Sequence, residues 1–375
     1  MAENQRFLAL DVFRGMTVCF MIIVNNPGSW EHIYAPLEHA PWHGFTPTDL
    51  VFPSFLFAVG NAMAFVMHKY ESNEKAFWIK TLKRTFIIFI IGYLLSWFPF
   101  YNFEDGHFRS FDHTRIVGVL QRIALCYFFA SVIIHYCSKK TAIIISGVLL
   151  VGYWVILYLY GKPGDPFSLV GYAGNDLDFD ILGKAHMYHG EMIDGERIAF
   201  EPEGILSTLP AIVNVIFGYL AGDFIRKTGN NFETIAKLML VGAAMIFVAL
   251  TWHMAFPINK KIWTSSFVLL TVGIDLLLIG GLIYVIELLK RTKWTSFFVV
   301  FGRNPLFIYI LADILVTVFG MIPVGDTNLA GWLYRDVFGG FMNELNASLA
   351  FALFFMLVNW AVGYILDKKK IYIRV

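Results

Sequence analysis

Charge is what this sequence has least of. Asp, Glu, Lys and Arg make up 15% of its 375 residues, where a soluble domain usually carries about 25%. An ordinary soluble domain is excluded on that ground. The 29 basic and 28 acidic residues leave a formal net charge of +1, and there is no basic tail or RNA-binding motif, so no nucleic-acid partner is expected. Only three cysteines are present (Cys19, Cys126, Cys137). They lie in or at the ends of apolar runs without metal-ligand spacing, which reads as buried, inert thiols and no metal site. Internal repeats and low-complexity tracts are missing, as is any small-residue cleavage site after the first apolar run, so that run reads as a retained helix. A phosphate-binding glycine loop, a nucleophile elbow, a metalloprotease helix and a dinucleotide fingerprint are all absent. Nucleotide hydrolysis is therefore not expected.

What the chain has is apolar length. Hydrophobic residues make up 57%, with 37 Phe, 17 Tyr and 10 Trp, and the mean hydropathy is +0.62. A spanning helix needs about 20 mostly apolar residues. Ten runs qualify: 7–27, 49–68, 84–101, 114–136, 141–160, 204–225, 237–256, 263–288, 303–322 and 345–366. They are too long, and lack the period of two, for a closed barrel. The expectation is an all-α, polytopic bundle of about ten transmembrane helices forming one domain over 1–375. With both termini inside, 18 of the 29 Lys and Arg fall on the inner side, including Arg6 and Arg374, the asymmetry expected of cytoplasmic loops. Two outer segments follow. The first, 28–48, carries His32, His39 and His43; the second, 161–203, is an acidic loop that includes Asp176, Asp178, Asp180, His186, Asp194 and Glu203. A loop of that length is usually functional or disordered, and its apolar content argues that it folds.

Several constellations carry ionisable groups where a membrane protein needs a reason for them. The stretch EHAPWHGFTPTDLVFP places His39, Trp42 and Asp49 at the outer mouth of the second helix. A neutral imidazole can take a proton or become acylated, and a carboxylate such as Asp49 would fix its tautomer. Asp49 reads equally well as a helix N-cap. Asp11 and Arg14 are three apart on the first helix, either an ion pair or an arginine that meets a phosphate from the cytoplasm; Asn25 closes that helix. Arg115, Gln121 and Arg122 open the fourth helix, with Arg122 deep enough to require a partner. Glu203 and Ser207, in EPEGILST, read as one face of the sixth helix. Arg303 and Asn304, in FGRNPL, lie on the inner side with Arg14, where both arginines could meet an anionic nucleotide.

LDVFRGM, VNNPG, HAPWHGFTPTDLVFPSF, GVLQR, DFDILGKAHMYHG, EPEGILST, PINKKIW and FGRNPL occur in one order from about residue 6 onward. That order resembles the heparan-α-glucosaminide N-acetyltransferase family of transmembrane acyltransferases, in the form of a bacterial, inner-membrane member. The resemblance implies transfer of acetyl from cytoplasmic acetyl-CoA to the amine of a glucosamine-type sugar at the outer face. It places the active histidine at His39, within His39, Ala40, Trp42 and Gly44, and lends Asp49, Asn25 and Arg122 a place in the pocket. Donor binding is expected from Arg14, Asn25, Arg122, Arg303 and Asn304, and acceptor binding from Trp42, Asp180, His186 and Glu203. His39 could carry the acetyl group or act as general base. O-acetylation of a sugar and a homodimer are left open. The alternative from another class is an amino-sugar transporter with Asp275 and Asp313 as a proton relay, although paired interrupted helices are lacking.

Overall fold

The computed structural model describes residues 7–102, 106–193 and 195–373. Of the residues weighed above, Arg6, Asp194 and Arg374 lie outside the described residues. The apolar runs form helices: α1 (Leu8–Asn25), α2 (Val51–Met63), α3 (Glu74–Trp97), α4 (Val119–Tyr136), α5 (Lys139–Tyr160), α6 (Gly174–Leu182) and α7 (Thr208–Thr228). They continue as α8 (Phe232–His253), α9 (Ser265–Leu282), α10 (Thr295–Arg303), α11 (Pro305–Met321), α12 (Leu329–Trp332) and α13 (Glu344–Lys368). Three two-stranded hairpins, the longest pairing Glu191–Ile193 with Glu196–Ile198, and short 3-10 and π-helical turns complete the described elements.

Among the described residues, seven helices are long and apolar enough to cross a membrane, and α10 with α11 make an eighth if that pair, bent by 84°, is one span. The chain is a multi-pass membrane protein of helical class. Two of the ten expected runs are not among these spans. α2 has 13 residues, short of a bilayer's thickness. α3 carries Lys80, Lys83 and Arg84 before its apolar half, so less than a full span is free of charge.

The chain forms two compact units. Among the described residues, one comprises 7–39, 46–55 and 281–373; the other comprises 40–45 and 56–280. In the first unit α1 packs on α10 with backbones in contact. A Cβ on Gly15 would lie 1.9 Å from the Phe298 carbonyl oxygen, and one on Gly302 would lie 2.3 Å from that of Asp11. Without a hydrophobic force between helices in lipid, such small-residue contacts set the packing. Gly302→Ala should therefore part α1 from α10, and by the usual cost of overpacking should remove about 3 kcal/mol. Thermal unfolding in detergent reads this as a lowered midpoint. The α10–α11 bend falls at Asn304, with Pro305 at the first position of α11, where a missing N–H costs nothing.

In the second unit α2 crosses α7 through Gly60 and Gly218, each within about van der Waals reach of the opposing backbone. The 161–203 loop folds. It supplies α6, a 3-10 turn at Lys184–His186 and the longest hairpin. Tyr153, Tyr172, Phe200, Phe256 and Ile262 form one buried cluster beneath it; Val117, Leu182 and Met187 form another.

Candidate functional site

Pro47–Leu50 is a 3-10 turn that leads into α2, with Thr46 as its N-cap. Asp49 is thus the third residue of the turn, not its cap. Its two oxygens divide the work. Oδ2 accepts from the Thr46 backbone N–H at 3.0 Å and from Thr46 Oγ1 at 3.2 Å, closing a capping box. Oδ1 lies 2.7 Å from His39 Nδ1. The carboxylate is 1% exposed and the imidazole 38%. A carboxylate oxygen can only accept, so Nδ1 holds the proton and, in the neutral ring, Nε2 carries the lone pair. Thr46 Oγ1 also donates to the Glu38 carbonyl at 2.6 Å, which ties the residue before His39 to the same turn. The sequence offered Asp49 as an N-cap or as the partner of His39; in the structure Thr46 is the N-cap, and Asp49, at the third position, bonds the Thr46 N–H and orients His39.

Three of the remaining candidates in this unit, Arg14, Arg303 and Asn304, are held by internal partners. Arg14 donates through Nη2 to Asp11 at 2.9 Å and through Nε to the Gly302 carbonyl at 2.8 Å. Arg303 pairs with Asp367. Asn304 is buried and bonds the Ile371 carbonyl and the Ile373 N–H at 3.0 and 2.8 Å, fastening the residues after α13. Asn25 is exposed at the end of α1.

The second unit holds the rest. Trp42 donates Nε1 to the Phe167 carbonyl at 2.9 Å and meets Phe200 edge-on at 5.6 Å. The Gly44 N–H bonds the Ile258 carbonyl at 2.8 Å. Burial lowers the His43 pKa, opposed by Asp165 and aided by His253. Arg115 bridges two carboxylates, Glu201 through Nε at 2.9 Å and Glu203 at 2.5 Å. Burial raises the Glu201 carboxyl. It would raise Glu203 too, but the Arg115 charge outweighs it and holds Glu203 below the usual carboxylate range. Arg122 is 1% exposed. It donates to the Gly204 carbonyl and to Ser207 Oγ, and its guanidinium lies 5.0 Å from the Trp263 ring centre. His186 Nδ1 bonds the Thr114 carbonyl at 2.9 Å, and Asp180 is exposed.

Two sequence readings need correction here. α4 starts at Val119, so Arg115 precedes it; the extended Gly118 delays the helix. α7 starts at Thr208, so Glu203 and Ser207 do not share a helical face. Pro202 and Gly204 make that stretch a turn.

Asp178 is a functional candidate that sequence reasoning passed over. It is 1% exposed and its Oδ1 accepts the Ile205 N–H at 2.9 Å. Burial raises its pKa to about 7, with the Ile205 bond and Arg122 opposing and Glu201 adding to the rise. The unfolded group ionises near 4, so between about pH 4 and 7 the folded chain holds the extra proton and stability falls as pH rises. Asp178→Asn should therefore gain stability relative to wild type on going from pH 5 to pH 8, read as the difference between their unfolding midpoints.

Among the described residues, no group of three or more His, Cys, Asp or Glu is placed to hold a metal ion. A family model described as heparan-alpha-glucosaminide N-acetyltransferase, catalytic, matches residues 6–173. The chain is similar to two proteins of that name. It is 26% identical over 361 residues to the one from Homo sapiens, covering 81% of this chain and 52% of the relative. It is 25% identical over 426 residues to the one from Mus musculus, covering 100% of this chain and 61% of the relative. The chain thus spans between about half and three-fifths of the length of the curated relatives it matches.

Proposed function

We propose, from the match of residues 6–173 to the heparan-alpha-glucosaminide N-acetyltransferase catalytic family model and the likeness to two proteins of that name, that the chain is an acetyl-CoA-dependent N-acyltransferase of that family. In this reading the donor is cytoplasmic and the acceptor is the amine of a glucosamine-type sugar at the outer face. The observation that carries it is the 2.7 Å pair of His39 Nδ1 and Asp49 Oδ1. A buried carboxylate that fixes one ring nitrogen leaves the other as base or nucleophile, and stabilises the imidazolium that either role produces.

Two sequences of steps use the same pair. As a base, Nε2 takes the proton from the sugar amine as its nitrogen attacks the thioester carbonyl, and CoA leaves as the thiol. As an acetyl carrier, Nε2 itself attacks the thioester carbonyl and the C–S bond breaks to expel CoA as the thiolate; the sugar amine then displaces the imidazole from the acetyl group, and the proton it gives up is taken by the thiolate or solvent. Donor binding is assigned to Arg14, Asn25, Arg122, Arg303 and Asn304, and acceptor binding to Trp42, Asp180, His186 and Glu203. Arg14 and Arg303 already face Asp11 and Asp367, so a donor phosphate at that end has to compete with those carboxylates. The inner-membrane location belongs to the same proposal.

Purified protein incubated with radiolabelled acetyl-CoA and a panel of amino sugars tests this reading. It predicts label on the nitrogen of glucosamine. Label on a sugar oxygen would move the reaction to O-acetylation, and no transfer by a folded protein that binds acetyl-CoA would reject glucosamine-type acceptors.

A further inference from the structure

The segment that carries His39 is held at two ends. Its rear is tied to the 46–49 turn through Thr46, Asp49 and Thr48, whose Oγ1 donates to the Pro36 carbonyl at 3.3 Å. Its front, residues 28–34, is held by α13, which lies more than 300 residues away in sequence. Ser348 is 2% exposed. Its Oγ accepts the Ser29 N–H at 3.1 Å and donates to the Ser29 carbonyl at 3.2 Å, while its own carbonyl accepts the Gly28 N–H at 3.2 Å. The contact is close: a Cβ on Gly28 would lie 2.7 Å from the Tyr334 ring and 3.0 Å from Ser348 Cα. Tyr34 donates its hydroxyl to Asn346 Oδ1 at 2.7 Å, and His32 meets Glu344 at 2.8 Å and the Tyr334 hydroxyl at 3.3 Å.

From this geometry we infer that the first turns of α13, through Ser348 and Asn346, position the His39 segment for acyl transfer. The inference rests on the acyltransferase reading above, and Ser348 and Asn346 are positioning residues that act through the backbone of 28–39. Asp49 fixes the direction and tautomer of the imidazole. It does not fix where the backbone carrying His39 sits. Residues 28–38 contain no α-helix, only a 3-10 turn at Ala35–Leu37, so their backbone groups need partners from elsewhere, and α13 supplies them at Gly28 and Ser29. A shift of about 1 Å in a reacting group can cost about 10²-fold in rate, which makes an anchor on this segment a rate-setting contact.

Two variants test the inference. Ser348→Ala removes one buried hydroxyl, and Tyr34→Phe removes one exposed hydroxyl at no risk to folding. The expected result is a kcat lower by about tenfold for Ser348→Ala and about threefold for Tyr34→Phe, with both KM values within about twofold of wild type. A readout free of turnover accompanies it: modification of His39 by diethylpyrocarbonate, followed by peptide mapping, should be faster in both variants. Unchanged kcat and unchanged His39 modification in both variants would overturn the inference, as would a loss confined to KM. If wild type transfers no acetyl but the variants still speed His39 modification, the anchor stands and the acyltransferase reading fails.

Discussion

His39→Ala should lose about 10³-fold or more of the acetyl-transfer rate while the protein stays folded and still binds acetyl-CoA. General acid–base catalysis by a positioned side chain contributes typically about 10²–10⁴-fold, and an acetyl carrier cannot be replaced by alanine at all. The loss is therefore large under either sequence of steps. What separates them is the trapped species. A carrier gives labelled wild-type protein when acetyl-CoA is supplied without acceptor, with the label mapped to His39; a base does not. His39 is more than one-third exposed, so its removal opens no cavity in the core. Asp49 Oδ1 loses its 2.7 Å bond to His39, so the unfolding midpoint should fall modestly, while size-exclusion behaviour like wild type shows the protein folded and makes the loss of rate attributable to chemistry.

Asp49→Asn should be almost as damaging, by about 10²–10⁴-fold in kcat, a range set by comparable carboxylate-to-amide changes next to a catalytic histidine. The Thr46 backbone N–H donates to one oxygen of Asp49. In the asparagine variant that place still calls for an oxygen, so the amide NH₂ is turned toward His39. An N–H donor facing Nδ1 needs Nδ1 as acceptor, which moves the ring proton to Nε2 and removes the lone pair from the reacting nitrogen. Size and packing hardly change, so stability should hold while rate falls. Asp49→Asn with the kcat of wild type would contradict the tautomer argument.

How far the sequence could be read depended on whether the signal was local. The helices were legible because their apolar runs are long, and His39 and Asp49 were legible because ionisable groups at a helix mouth stand out. Their 2.7 Å pairing was not, since it depends on how a proline-rich stretch of ten residues turns back on itself. Thr46 was missed for the same reason: its three contacts are made by a chain reversal that no periodicity reports. The acidic loop shows the limit plainly. Asp176, Asp178 and Asp180 alternate and look equivalent in sequence, yet only Asp178 is buried and bonded into the turn before α7, while Asp180 is exposed. Burial of one residue among three is a tertiary outcome. Helix starts were misread at Arg115 and Glu203 because the apolar pattern runs through Gly118, Pro202 and Gly204, whose backbone preferences decide the boundary. The expected spans at 49–68 and 84–101 were drawn from hydropathy, and the shortness of α2 and the charges in α3 set them apart from the seven apolar helices.

The most direct test is sidedness. Wild-type protein reconstituted in sealed vesicles receives labelled acetyl-CoA inside only and glucosamine outside only. The account predicts labelled N-acetylglucosamine in the outer solution, absent from vesicles carrying His39→Ala. Labelled product only when donor and acceptor share one compartment would contradict transfer across the membrane, and label that never leaves acetyl-CoA in vesicles whose protein is folded and binds the donor would contradict the acyltransferase itself.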